Sequence, residues 1–287
     1  NGTPEPVRSA LIEGGMWWNQ AFENIGFKNA FQVKMLPKDA DPLDVRYNVI
    51  QWVHRSTRGW SYGSSVIDPR TGEIIKGHVT LGSLRIRQDF MIALGLIDQP
   101  FLENNNKENI ALEMALSRIR QLSAHEIGHT LGFAHNFTAS SNVRSSVMDY
   151  PHPNIKFING EISISEAYEE GIGEWDKVSI AYSYSHFPKN TNEEKALDSI
   201  LAKSAQDGHR FITDKDARPI GGAHPSAHLW DNGSIPTSEL TRLLDIRKKA
   251  LENFSINHIR DGETYSTLED RMVPIYLLHR YQMEAVV

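Results

Sequence analysis

The chain has 287 residues, enough for one large domain or two of ordinary size. Thirty Lys and Arg against 36 Asp and Glu leave a net charge of −6, which weighs against a basic nucleic-acid face or a polybasic membrane contact. Cysteine is absent, so disulfides, thiolate nucleophiles and cysteine metal sites are excluded, and no apolar run approaches the roughly 18 residues of a spanning helix.

The chain opens on Asn1, and Asn1–Pro6 holds no charged stretch followed by an apolar one. A mature form or a piece of a longer chain is therefore expected. Val7, Leu11, Trp18, Phe22 and Ile25 recur at helical spacing and predict a helix over 7–25, started near Pro6 and stopped at Gly26. Phe31–Leu36 alternates apolar and polar residues as a strand does, and Arg46–His54 is rich in strand-forming residues. Arg58–Ser65, rich in glycine and aromatics, reads as a loop. Val66–Ile75 reads as a hairpin about Asp68-Pro69-Arg70-Thr71-Gly72, and Gly77–Leu84 as a further strand.

The strongest helix spans Asn109–Leu131, where Leu112, Ala115, Leu116, Ile119 and Leu122 form an apolar stripe. It should end at Gly132, a residue free to take the left-handed conformation. Irregular chain is expected to about Ser163. Helices follow at Glu174–Ser183, Glu193–Ala205, Ser238–Phe254 and Leu268–Val286, with a Gly/Pro-rich loop at Arg218–Asn232. Three parts are expected: 1–135 with sheet and long helix, 136–190, and a helical extension 191–287.

The long helix runs into His125-Glu126-Ile127-Gly128-His129-Thr130-Leu131-Gly132-Phe133-Ala134-His135, an H-E-x-x-H-x-x-G-x-x-H pattern. At about 100° per residue, positions i and i+4 share a helix face, so His125 and His129 can point two imidazoles at one ion. Glu126 leans beside that ion, where a carboxylate can accept a proton from water. Gly132 lets the chain turn, and His135 returns from beyond the helix. Three neutral nitrogens leave one position of a tetrahedral zinc open, as catalysis requires, where a structural site would be closed by a fourth protein ligand. Gly128 costs a helix roughly 1 kcal/mol relative to Ala, which hints at close packing there.

With these residues the sequence resembles the metzincin clan of zinc peptidases. The resemblance implies an α/β fold: a twisted mixed sheet, an active-site helix and a helical C-terminal subdomain. It implies that Ser146-Val147-Met148-Asp149-Tyr150-Pro151 is the methionine turn, with Met148 a hydrophobic base beneath the three imidazoles. It further implies that Tyr150 stabilises an oxyanion, as a tyrosine at that place does in astacin-like and serralysin-like members, and that an antiparallel edge strand lines the cleft. Val79–Leu84 is the candidate edge.

The likeness covers residues 5–185 in layout. Asn136 departs from the Glu, Ser, Asp or Pro that follows the third histidine in better-known subfamilies, and the last hundred residues have no counterpart in the minimal clan fold. The whole chain looks most like the catalytic part of large bacterial zinc-dependent metalloproteases. That likeness implies an extracytoplasmic protein acting on peptides or proteins.

The function expected is a zinc-dependent endopeptidase, with zinc on His125, His129 and His135, Glu126 as general base and Tyr150 in support. The alternative is a latent or non-catalytic peptide-binding module on the same scaffold, against which the intact Glu126 argues. A zinc hydrolase of non-peptide amides is a third class. His224 and His228 are four apart, but Pro225 between them spoils helical geometry and favours ordinary histidines. Glu166, Glu169, Glu170, Glu174 and Asp176 could bind calcium but lack the D-x-D-x-D-G pattern, so a solvated face is the better reading. Neither a G-x-S-x-G turn nor a phosphate loop is present.

Overall fold

The structure is a computed structural model that describes residues 2–55, 57, 59–102, 107–142, 144–218 and 224–287. Its N-terminal third holds helices α1 (Val7–Met16) and α2 (Trp18–Asn24), strands β1 (Val49–Val53), β2 (Tyr62–Ile67) and β3 (Ile74–Gly82), and helix α3 (Leu84–Leu96). The long helix α4 (Glu108–Thr130) follows, then a 3-10 turn at Phe137–Ser141 and a hairpin of β4 (Lys156–Ile158) and β5 (Glu161–Ser163). The rest is helical: α5 (Glu174–Tyr184), α6 (Glu193–Gln206), the short α7 (Asp214–Ala217), α8 (Pro236–Asn253), α9 (Ser266–Tyr276) and α10 (Arg280–Val286).

The sheet order is β1-β3-β2, with β1 parallel and β2 antiparallel to β3. β3 has a neighbour along each edge, and Val79, Thr80 and Leu81, which alternate between its two faces, are all buried. β3 is therefore internal, and the expectation that Val79–Leu84 forms the antiparallel edge is corrected. Among the described residues that edge is β2, whose Tyr62, Val66 and Ile67 are exposed. The hairpin expected about Asp68–Gly72 is present as the turn from β2 into β3, and its second arm runs on without a break into the strand expected at 77–84, because Ile74–Gly82 is one strand.

Three further differences have local causes. Among the described residues Phe31–Leu36 pairs with no strand: the Phe31 amide donates to Asn19 Oδ1 at 3.2 Å and the Val33 amide faces Met16 Sδ at 3.1 Å, so α1 and α2 take donors that a ladder would use. Residues 62–65, expected in a loop, are strand; Arg58 lies outside the described residues, as do 219–223 of the loop expected at 218–232. The helix expected over 268–286 is two, broken at 277–279, with Pro274 near the end of the first removing one amide donor.

Two apolar cores meet along α4. One packs Trp18, Ala21, Phe22, Leu81, Leu116, Ile119, Ile127 and Met148 between α1, α2, the sheet and the end of α4. The other gathers Leu94, Met114, Ile155, Ile164, Leu243, Ile246 and Ile275 around its beginning. Helices α8 and α9 thus complete a core that α3 and α4 start. A third, smaller cluster of Phe137, Ala227 and Leu229 lies beside Tyr150, Ile212 and Trp230. No helix among the described residues is long and apolar enough to cross a membrane.

Candidate metal centre

His125 and His129 lie in the last two turns of α4. Leu131 closes the helix and Gly132, at φ +94°, reverses the chain in a conformation that side-chain-bearing residues disfavour. That reversal brings His135 back to the same place. The Nε2 atoms of His125 and His129 are 3.2 Å apart, as are those of His129 and His135. Each Nδ1 is occupied elsewhere. His125 donates to the Val147 carbonyl at 2.8 Å, His129 to the Phe133 carbonyl at 2.8 Å, and His135 to Asp214 Oδ2 at 2.7 Å.

An acceptor at Nδ1 keeps the proton there and leaves a lone pair on Nε2. Three lone pairs facing one another cannot hydrogen-bond among themselves, so they call for a cation. Nitrogens about 2.0–2.1 Å from a tetrahedral zinc stand about 3.3 Å apart, which matches the spacing seen. Burial, with the neighbouring imidazoles, also pushes His125 well below its usual range, and burial lowers His129. Both favour the neutral form that ligates metal. The residues present fit a zinc ion.

Glu126 is buried beside this triangle. Burial pushes its carboxyl up to about 7, against the pull of Arg118 and of a hydrogen bond from the Gly63 amide. Gly63 is on β2, and a Cβ there would fall 1.9 Å from the Glu126 carbonyl oxygen. Only glycine lets the edge strand come close enough for its amide to reach Glu126. Ser65 Oγ adds a bond to the Thr130 carbonyl at 2.7 Å, tying β2 to the end of α4.

Met148 is buried directly under α4. A Cβ on Gly128 would lie 2.2 Å from its sulfur and 2.7 Å from Trp18, which accounts for the glycine inside the helix. The turn around Met148 is held by Asp176 of α5. Its carboxylate accepts from Ser146 Oγ at 2.6 Å and from the Val147 and Gly173 amides at 2.8 Å each. The Val147 carbonyl can then receive His125 and, at 3.0 Å, Gln121 Nε2. Tyr150 lies against the histidines, its ring centroid 4.6 Å from His135 and 5.1 Å from His125, and burial raises its phenol.

The sequence-predicted residues therefore come together, with neighbours that sequence reasoning missed. Asp176, expected on a solvated face, is fully buried. The rest of that acidic stretch stays at the surface, Glu166 paired with Lys156 and Glu174 with Lys177. His224 and His228 bond locally, to the Ser226 amide and the Leu229 carbonyl. Asn136, the departure after the third histidine, is buried. Its amide donates to the Met148 carbonyl at 3.0 Å, and its side chain spans the Arg210 carbonyl at 2.9 Å and the Ile212 amide at 3.2 Å.

A family model described as Met-zincin matches residues 107–287, well over half of the chain. The chain belongs to the Met-zincin family. No curated protein and no solved structure matches it. The match runs from the start of α4 to the C-terminus, so the helical extension belongs to what defines this Met-zincin along with the histidines. The chain is a zinc metallopeptidase-like domain, and His125, His129 and His135 are the cluster suited to its zinc.

Proposed function

We propose that this Met-zincin is an endopeptidase that hydrolyses peptide bonds with Glu126 as general base. The observation that carries the reading is the buried Glu126 carboxyl beside three imidazoles whose Nε2 lone pairs converge. Zinc bound by His125, His129 and His135 would supply the Lewis acidity that polarises the scissile carbonyl and acidifies water. Glu126 takes the proton of the attacking water and passes it to the leaving amine. A carboxyl held in this position beside the water that attacks can both accept a proton and release it to the leaving group. Tyr150 offers a phenol O–H to the oxyanion that forms.

The substrate chain adds to the free edge of β2 as an extended strand, and its backbone supplies most of the affinity. This edge is antiparallel to β3, and its Gly63 already touches Glu126, so a peptide bound there passes the site.

The test is cleavage of a mixed peptide library by the zinc-loaded protein, with and without chelator, beside Glu126→Ala. The expected result is chelator-sensitive internal cleavage. Glu126→Ala should slow it by about 10²–10⁴-fold while zinc stays at one per chain. A variant that keeps full turnover would overturn the role of Glu126. A zinc-loaded wild type that binds peptides and cuts none would establish a binding module instead.

A further inference from the structure

His135 differs from the other two histidines in what holds it. His125 and His129 donate to backbone carbonyls, whereas His135 donates to a carboxylate from the helical extension. That carboxylate is delivered by a built connection. Asn136, next to His135, grips the Arg210 carbonyl and the Ile212 amide, and the Phe137 amide donates to the Ile212 carbonyl at 2.9 Å. Phe211, between them, stacks on Trp175 of α5 with centroids 5.5 Å apart. Two residues beyond Ile212 the chain presents Asp214. Its second oxygen takes Arg218 at 3.1 Å, so both oxygens are engaged. Further along, Trp230 stacks on Tyr150 at 5.4 Å, and its amide donates to the Tyr150 carbonyl at 3.0 Å. The extension meets the centre at two points.

We propose that Asp214 is a positioning residue of the metal centre: from the C-terminal extension it fixes the tautomer and ring plane of His135 and strengthens Nε2 as a ligand. A carboxylate behind a ligating histidine orients the ring and raises its basicity, and losing such a partner weakens metal binding by about 10–100-fold. Asn136 is part of the same device. The residue that departs from the better-known pattern is the one that seats the segment carrying Asp214. The inference rests on the zinc reading of the histidine cluster.

The test is zinc affinity of the full chain, by competition with a chromophoric chelator at one pH, with the visible spectrum of the cobalt-substituted protein as second readout. Asp214→Ala should bind zinc about 10–100-fold more weakly and shift the cobalt spectrum, while the metal-free protein melts as the wild type does. Asp214→Asn keeps an acceptor for Nδ1–H and loses the charge, so about three- to tenfold weaker binding is expected. It also decides the matter should the alanine variant fail to fold. A folded Asp214→Ala, or failing that Asp214→Asn, with wild-type affinity and spectrum would overturn this inference alone. A wild type that binds no zinc would overturn the zinc reading with it.

Discussion

His125 and His129 stand on one helix and lean on backbone carbonyls of the turns around them, whereas His135 is met by a side chain 79 residues further along the chain. The first pair is as rigid as α4, which is packed on both sides by apolar cores. The third ligand is as rigid as the docking of the 210–214 segment, a handful of hydrogen bonds and one aromatic stack. Substitutions near Met148 should therefore act on the stability of the whole molecule. Substitutions near Asn136 should act on the extension and the third ligand.

The largest effect on stability is expected at Asp176. Asp176→Ala leaves the buried Val147 amide and the half-buried Gly173 amide without their acceptor and should cost about 3 kcal/mol in urea unfolding at pH 5. Burial also pushes this carboxyl up to about 6 from its ordinary 3.8, so the fold prefers the protonated form. Its contribution is full below about pH 4 and declines by about 3 kcal/mol as pH rises through about 6. Asp176→Asn should remove that decline, measured as the difference between the two stability–pH curves. Parallel curves would show that Asp176 does not titrate in this window.

Next is Gly128→Ala. Helix propensity alone predicts a gain of about 1 kcal/mol. The clash with Met148 and Trp18 predicts a loss of about 1–3 kcal/mol. The clash should win and lower the melting temperature; a rise would mean that Met148 does not pack on the helix as described. Asn136→Ala strips the partners from Arg210 and Ile212 and should cost about 1–2 kcal/mol. Hydrogen exchange should quicken over 210–214 while the α4 amides stay protected. Equal quickening in α4 would erase the distinction between the two regions. The smallest effect is expected for Arg218→Ala, a half-exposed pair with Asp214 worth under about 1 kcal/mol in thermal unfolding.

What could be read from the sequence follows the range of the interactions. α4 and its histidines were legible because helical spacing and the Gly132 reversal are local. Gly128 was legible as a sign of close packing, although its partners were not. The first four residues of β2 were missed, because Tyr62-Gly63-Ser64-Ser65 is mostly small and polar and reads as a loop, whereas Val66 and Ile67 read as the first arm of a hairpin. The residue that spoils its strand pattern is the glycine that lets it approach Glu126. α3 was missed because its start at Leu84 was absorbed into the preceding strand, whose pairing ends at Gly82. Phe31–Leu36 has the alternation of a strand, but alternation does not supply a partner. Asp176 sits among exposed acids, and only its place three residues into α5 hinted at a role for its carboxylate at the helix start. Asp214, after Thr213, has the composition of an ordinary helix start. Nothing local marks it as the neighbour of His135.

The most direct measurement is zinc K-edge absorption on the purified, zinc-loaded protein. The account predicts one ion with three imidazole nitrogens at about 2.0–2.1 Å and one non-protein oxygen, a site open for chemistry. Four protein ligands, or a shell of oxygens without histidine, would contradict it.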